Sequence, residues 1–258
     1  MMGIANLTTD GLRRLERVHV KAWPAFETAS IEGWLWRYSG GGSQRANSVS
    51  TLDFEGADPA AALEEVESRY RGKGAPARLH TCSVGRPTHL PTLLSARGYA
   101  QGETTATMAK RLGGEPHHAE VELCRHPTPE WLEVYLGAVT ENRRAVNTAI
   151  LGAIPGPRAF FAYRSAGRVI STALGVAESE AAGIADDRCA VIECVATRSD
   201  SRRRGGAQAV LRAVEAWAHR QRVGLLGLQV SETNAPAIAL YRHLGFAAVD
   251  RNQFWVRE

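Results

Sequence analysis

Residues 202–208 read Arg-Arg-Arg-Gly-Gly-Ala-Gln, placing three arginines and two glycines at one point in the chain. The preceding segment 189–196, Cys-Ala-Val-Ile-Glu-Cys-Val-Ala, has the apolar run of a mostly buried strand. After them, Ala207, Val210, Leu211, Val214, Trp217 and Ala218 recur at helical spacing on one face. The cluster therefore falls at a strand-to-helix turn. A helix N-terminus offers unpaired N–H groups and the positive end of the backbone dipole, and glycine allows an anion close to the backbone. The chemistry implied is binding of an anion of pyrophosphate size. Neither Gly-x-x-x-x-Gly-Lys-Ser/Thr nor Gly-x-Gly-x-x-Gly is present, so the common nucleotide loops do not account for the turn.

The elements downstream narrow the choice. Residues 225–230, Leu-Leu-Gly-Leu-Gln-Val, read as a second short strand. A polar loop at 231–236 leads into a helix over 237–244, with Asn234 as its cap, Pro236 in its first turn and Gly245 at its end. Residues 246–249 and 253–257 read as final strands.

In this order the sequence resembles the GNAT superfamily of acyl-CoA-dependent N-acyltransferases. One family motif, Gln/Arg-x-x-Gly-x-Gly/Ala, is matched by Arg202, Gly205 and Ala207; the other, Asn-x-x-Ala-x-x-x-Tyr-x-x-x-Gly-Phe, by Asn234, Ala237, Tyr241, Gly245 and Phe246. The close resemblance covers residues 167–258 and implies an α/β fold using acetyl-CoA as co-substrate. It implies that the backbone of Val195, Ala196 and Thr197 pairs with the pantetheine arm. It also implies that the N–H groups of Arg203, Arg204, Gly205, Gly206, Ala207 and Gln208 hold the pyrophosphate, that Asn234 lies near the thioester, and that Tyr241 protonates the departing thiolate. A phenol can supply that proton.

The general base is open. Where some members carry a strand Glu, this chain has Gln229, which cannot take a proton. Glu193, in the strand before the arginine turn, is the alternative: burial would raise its pKa toward the useful range. It also reads as a structural carboxylate paired with an arginine. Glu232 is a further carboxylate, and a water chain with no dedicated base also fits. Cys194 lies beside the expected thioester path, but direct attack by an amine needs no thiol nucleophile.

The first half of the chain has its own pattern. Residues 9–21 form a helix; 34–38 and 46–53 read as strands joined by a flexible loop, Ser39-Gly40-Gly41-Gly42-Ser43; Asp58 caps a helix over 58–71; and 78–83 is a strand. Residues 93–100, Leu-Leu-Ser-Ala-Arg-Gly-Tyr-Ala, echo 240–247, Leu-Tyr-Arg-His-Leu-Gly-Phe-Ala, and 104–108 matches the closing strand near Phe254. No arginine–glycine turn precedes the Asp58 helix, and Leu94 stands where Tyr241 does. The expectation is two GNAT-like mixed-sheet halves, 1–113 and 118–258, the first degenerate and the second catalytic, divided at Gly113-Gly114-Glu115-Pro116-His117-His118. In the second, 120–124 is a strand, 129–136 and 139–151 are helices bordering the acceptor, and 160–163 and 169–177 form a hairpin turning at 165–167. Trp23, Trp34, Trp36 and Tyr38 read as packing between the halves or as part of the acceptor wall.

Composition sets the remaining bounds. The 258 residues are 44% hydrophobic and 22% charged, as in ordinary globular domains. The net charge of +4 comes from scattered basic residues interleaved with acids, so no nucleic-acid partner is expected. No run approaches a membrane span and residues 1–17 lack a signal-peptide pattern, so a cytoplasmic location is expected. Cys82, Cys124, Cys189 and Cys194 read as reduced structural cysteines, and His117 and His118 as loop residues, with no metal site. The expected activity is acetyl transfer to a primary amine of a small molecule or peptide. A non-catalytic acyl-CoA sensor or partner-binding module is the alternative, and the oligomeric state, a homodimer included, is open.

Overall fold

Strand and helix follow where the apolar period changes. Cys189, Val191, Leu174 and Val176 join one hydrophobic core, while Ala190, Ile192, Ala173 and Ala177 join another. A run apolar at every position is thus buried on both faces of a central sheet. The computed structural model describes residues 7–114, 116–117, 119–179 and 188–258.

The elements of the first half are α1 (Thr9–Ala22), β1 (Glu27–Ile31), β2 (Trp34–Tyr38), β3 (Val49–Ser50), α2 (Pro59–Gly72), β4 (Ala77–Thr81), α3 (Leu90–Ala96) and β5 (Ala100–Arg111). Those of the second are β6 (Glu122–Cys124), α4 (Pro129–Gly137), α5 (Glu141–Ala153), β7 (Arg158–Ser165), β8 (Arg168–Ala177), β9 (Cys189–Thr197), α6 (Gly206–Arg220), β10 (Leu225–Ser231), α7 (Ala235–His243) and β11 (Ala247–Arg257). The strands make one sheet in the order β1-β2-β3-β4-β11-β5-β10-β9-β8-β7-β6. Helices α1, α4 and α5 bury their apolar stripes on one face of its second half, and α6 and α7 on the other. Helices α2 and α3 pack with Trp34, Trp36, Leu79 and Trp255 in a third core.

The two halves run in parallel order. β2–β3 and β8–β9 are antiparallel; β3–β4 and β9–β10 are parallel. The echo at 93–100 and 240–247 is geometric: Tyr99 N donates to Leu94 O and Phe246 N to Tyr241 O, each at 3.0 Å, across left-handed glycines Gly98 (φ 83°) and Gly245 (φ 89°). Each half gives its closing strand to the other. β11 pairs with β4, β5 pairs with β10, and β5 and β11 pair with each other at the centre. Helix α1 also crosses over: a Cβ on Gly227 in β10 would lie 2.6 Å from Leu15, so that glycine permits the close approach.

The structure adds one strand that the sequence did not signal and corrects three expectations. β1, the polar edge segment Glu-Thr-Ala-Ser-Ile, has no apolar signal and is the hairpin partner of β2. Residues 46–53 are not a continuous strand; a 3-10 turn, Arg45–Asn47, precedes the two-residue β3, because Asn47 turns inward to bond the preceding loop. Those same bonds fix the 39–43 loop, which is therefore not free to flex. The two final strands are one, β11, kept continuous through bulges at Ala248/Asp250 and Gln253/Trp255. The segment 113–118 links the halves; Glu115 and His118 of it, like residues 1–6 of the expected leaderless start, lie outside the described residues.

Candidate active site

The site begins where β9 and β10 separate. Their parallel pairing runs from Cys189–Leu225 to Ile192–Leu228 and stops, while β9 continues to Thr197 against β8 and β10 continues to Ser231 against β5. Between them a wedge opens. Its β9 edge, residues 193–197, has no β10 partner for its backbone groups. Cys194 sits in this edge at φ 55°, and two residues of β9, Cys194 and Val195, face one of β8. This bulge turns the strand at the point of opening.

The arginine–glycine turn lies beyond the end of β9. A 3-10 turn over Ser199–Ser201 leads to Arg203 (φ 65°) and Gly205 (φ 78°), both left-handed, and Gly205 is the N-cap of α6. No side chain caps this helix, and its first helical bond is Ala209 N to Gly205 O. The N–H groups of Gly206, Ala207 and Gln208 therefore have no intrahelical partner. Gly206 is buried against β8, where a Cβ would lie 2.3 Å from Ser171 Oγ. Arg202, Arg203 and Arg204 are exposed and form no ion pair among the described residues. These donors fit an anion of pyrophosphate size.

Asn234 caps α7, its Oδ1 accepting from Ala237 N at 3.3 Å, which leaves its amide NH2 for other contacts. Tyr241 is 7% exposed and packs edge-on against Phe246. Its hydroxyl makes no hydrogen bond among the described residues. Burial, reinforced by the Glu193 carboxylate, pushes its pKa up to about 12, so it is a protonated phenol at neutral pH.

Glu193 departs from the expected base. Burial alone would raise its pKa, but Arg45 binds both of its oxygens, Nη1 to Oε1 at 2.8 Å and Nη2 to Oε2 at 2.6 Å, and His19 Nδ1 lies 3.4 Å away. The arginine charge outweighs desolvation and holds the carboxyl down to about 2. The expectation that burial raises its pKa is corrected: Arg45 keeps the Glu193 carboxylate ionised where it bridges the halves. Gln229 donates to a different carboxylate, Glu16 Oε2 at 3.0 Å, which also accepts from Asn252 and, through Oε1, from Thr107. Burial raises the Glu16 pKa against those bonds and the His19 charge. Glu232 is held on the surface by Arg251. Burial and the neighbouring Glu193 push the Cys194 thiol well up, so it is not a thiolate nucleophile.

A cavity of about 230 Å³ opens at the wedge, and both halves line it: Trp23, Arg45 and Glu103 from the first, Tyr135, Glu193 and Gln229 from the second. Arg45 also lies over the Trp23 ring, 5.1 Å from its centre. Glu16, His19, Arg45 and Glu103 stand at or beside this cavity without a local sequence signal. The one available signal was the carboxylate in an apolar strand, which required a partner.

Comparison with known proteins places the chain in a family and a fold. A family model described as "Probable histone acetyltransferase Rv0428c C-terminal" matches residues 9–255. The chain is similar to "Uncharacterized N-acetyltransferase YobR" of Bacillus subtilis (strain 168), 24% identical over 262 residues, 96% of this chain and 99% of that protein. Among solved structures it resembles a GCN5-related N-acetyltransferase from Kribbella flavida, TM-score 0.67 and 16% identity over 100% of this chain and 96% of that one. It also resembles a tandem GNAT protein from the clavulanic acid biosynthesis pathway, TM-score 0.56 and 16% identity over 77% of this chain and 69% of that one. The chain belongs to the family of the matching model and is an N-acetyltransferase of the GNAT superfamily.

Proposed function

We propose that the chain moves an acetyl group from acetyl-CoA to a primary amine of a small molecule or peptide by direct attack. The observation that carries this reading is the divergence of β9 from β10 after Ile192–Leu228, with the open α6 N-terminus at one end and a two-sided cavity beside it.

The donor supplies an activated thioester. The unpaired backbone of Val195, Ala196 and Thr197 adds the pantetheine arm as a strand would, and the N–H groups of residues 203–208 with their arginines hold the pyrophosphate. The Asn234 amide contacts the arm near the thioester. Bulge N–H groups at residues 194–195 polarise the carbonyl, and holding both substrates in register supplies much of the rate. Tyr241, protonated and free of other hydrogen bonds, delivers its proton to the leaving sulfur.

On the acceptor side, Glu193 is a fixed hydrogen-bond acceptor that orients the ammonium. The proton leaves through water in the cavity, because the Arg45 pair removes Glu193 as an efficient base. Among the described residues no three His, Cys, Asp or Glu side chains gather as metal ligands. The test is release of CoA thiol from acetyl-CoA across a panel of amines, amino acids, aminoglycosides and peptides. Amine-dependent release with a mass gain of one acetyl on the acceptor is expected; acetyl-CoA binding without any amine-dependent release overturns the reading.

A further inference from the structure

The glycine run at 40–42 is held in one conformation. Asn47 Oδ1 accepts from Ser39 N at 2.8 Å and Gly41 N at 3.2 Å, and its Nδ2 donates to Gly41 O at 2.9 Å and Ser43 O at 2.7 Å. Arg143, from α5 in the other half, donates its Nε to Gly42 O at 2.8 Å. All three glycines are left-handed, with φ of 70°, 96° and 69°. Fixing three consecutive glycines carries a large entropic cost. The fixed loop forms a wall of a cavity of about 450 Å³, which shares Ser43, Gln44 and Arg143 with the acceptor cavity.

The lining of this second cavity is one-sided in charge. It contains Lys73, Arg78 and Arg143 and no carboxylate. Glu27 neutralises Lys73. Neither Arg78 nor Arg143 forms an ion pair among the described residues, and the Arg78 Nε is buried without a partner. Arg78 feels the Glu258 carboxylate, yet its one hydrogen bond is a 3.4 Å contact to Asn47 O. The N–H groups of Gly40 and Gly42 are also unpaired among the described residues. Guanidinium and backbone donors arranged without a carboxylate among them match an oxyanion.

We infer that the acceptor amine carries an oxyanion, a carboxylate or a phosphate, which docks between Arg78, Arg143 and the fixed glycine loop while the amine enters the adjoining cavity. This rests on the acetyl-transfer reading for the amine end only. The same lining repels a polycationic tail, so a lysine-rich peptide is a poor acceptor.

The full-length protein is assayed for CoA release with 4-aminobutyrate, 2-aminoethyl phosphate, n-butylamine and a lysine-rich peptide. The expected kcat/KM for one of the two anionic amines exceeds that for n-butylamine by at least about tenfold, and the better of the two identifies the oxyanion. Arg78→Gln lowers this anionic-to-neutral ratio about tenfold, mainly through KM, and Arg78→Lys, which keeps the charge, restores most of it. Equal or better use of n-butylamine or of the peptide, or a ratio that Arg78→Gln leaves unmoved, overturns the inference. If acetyl-CoA binds and no acceptor is turned over, the fault lies with the acetyl-transfer reading. Titration of inorganic phosphate into the wild type and Arg78→Gln then decides the pocket: binding lost in the variant supports it, and no binding to the wild type overturns it.

Discussion

The last parallel rung before β3 and β4 part is Ser50–His80; the last before β9 and β10 part is Ile192–Leu228. Beyond it the two halves diverge. In the second, the edge of β9 stays open. In the first, the chain fills its own wedge: Arg86 N donates to Thr51 O at 2.8 Å, and Arg13 binds Leu52 O at 2.9 Å and Val84 O at 2.6 Å. The helices differ in the same sense. Asp58 caps α2 with its own carboxylate, bonding Ala60 N at 2.8 Å, whereas Gly205 caps α6 with no side chain and arginines lie beside it. Leu94, fully buried, stands where Tyr241 carries its hydroxyl. The scaffold is common to both halves, and a few local choices separate a half with an open strand edge and a helix start free of side-chain caps from one that is sealed.

That comparison can be broken at several points. Deleting residues 1–113 removes β5 from between β10 and β11 and strips α1 from β9, so the remainder is expected to show no cooperative thermal unfolding; a cooperative, soluble 114–258 fragment would show that the exchanged strands are dispensable. Gly205→Asp sets a carboxylate where the anion should sit. It should weaken acetyl-CoA binding roughly 1000-fold by titration calorimetry, because attraction becomes repulsion; Gly205 is left-handed, so Gly205→Ala, which carries the same backbone strain without the charge, is measured beside it and should bind far more tightly than Gly205→Asp. Retained affinity would sink the assignment of this turn. Tyr241→Phe should lower kcat about 100-fold with acetyl-CoA affinity unchanged, and an unaltered kcat would remove the acid role.

The smallest effect concerns the rung itself. Burial, helped by the charges of Arg37, Arg45 and His19, holds His80 down to about 3. The folded-state pKa lies below the unfolded value of about 6.5, so the unfolded chain binds the proton first. This contribution is fully present above about pH 6.5 and is lost as pH falls toward 3. At pH 5 the loss is about 2 kcal/mol, or a melting temperature lower by roughly 4–8 °C than at pH 7. His80→Leu, which copies the apolar rung of the other half, should flatten that limb; an unchanged slope would place the titration elsewhere.

Much of the second half was legible because its signals are local. The arginine–glycine turn, the Asn234 cap and the Gly245 stop each depend on residues within a few positions of one another. The echo at residues 93–100 was legible for the same reason. What escaped depends on distant pairing. Arg45 meets Glu193 across 148 residues of sequence, and nothing local to either announces the other. The raised pKa expected for Glu193 followed from burial alone and failed on that partner. β1 escaped because an edge strand needs no apolar face. The strand exchange escaped because β5 and β11 have similar patterns, and no periodicity tells a strand which of two equivalent neighbours to take.

The exchange has a consequence for how the chain is made. During synthesis β4 emerges long before β11, its neighbour in the finished sheet. The nascent first half must wait with an unpaired strand edge, a template for β5 to pair with prematurely or for another chain to join. Arg78, a charged residue near one end of that seam, suits an edge that must stay soluble until its partner arrives.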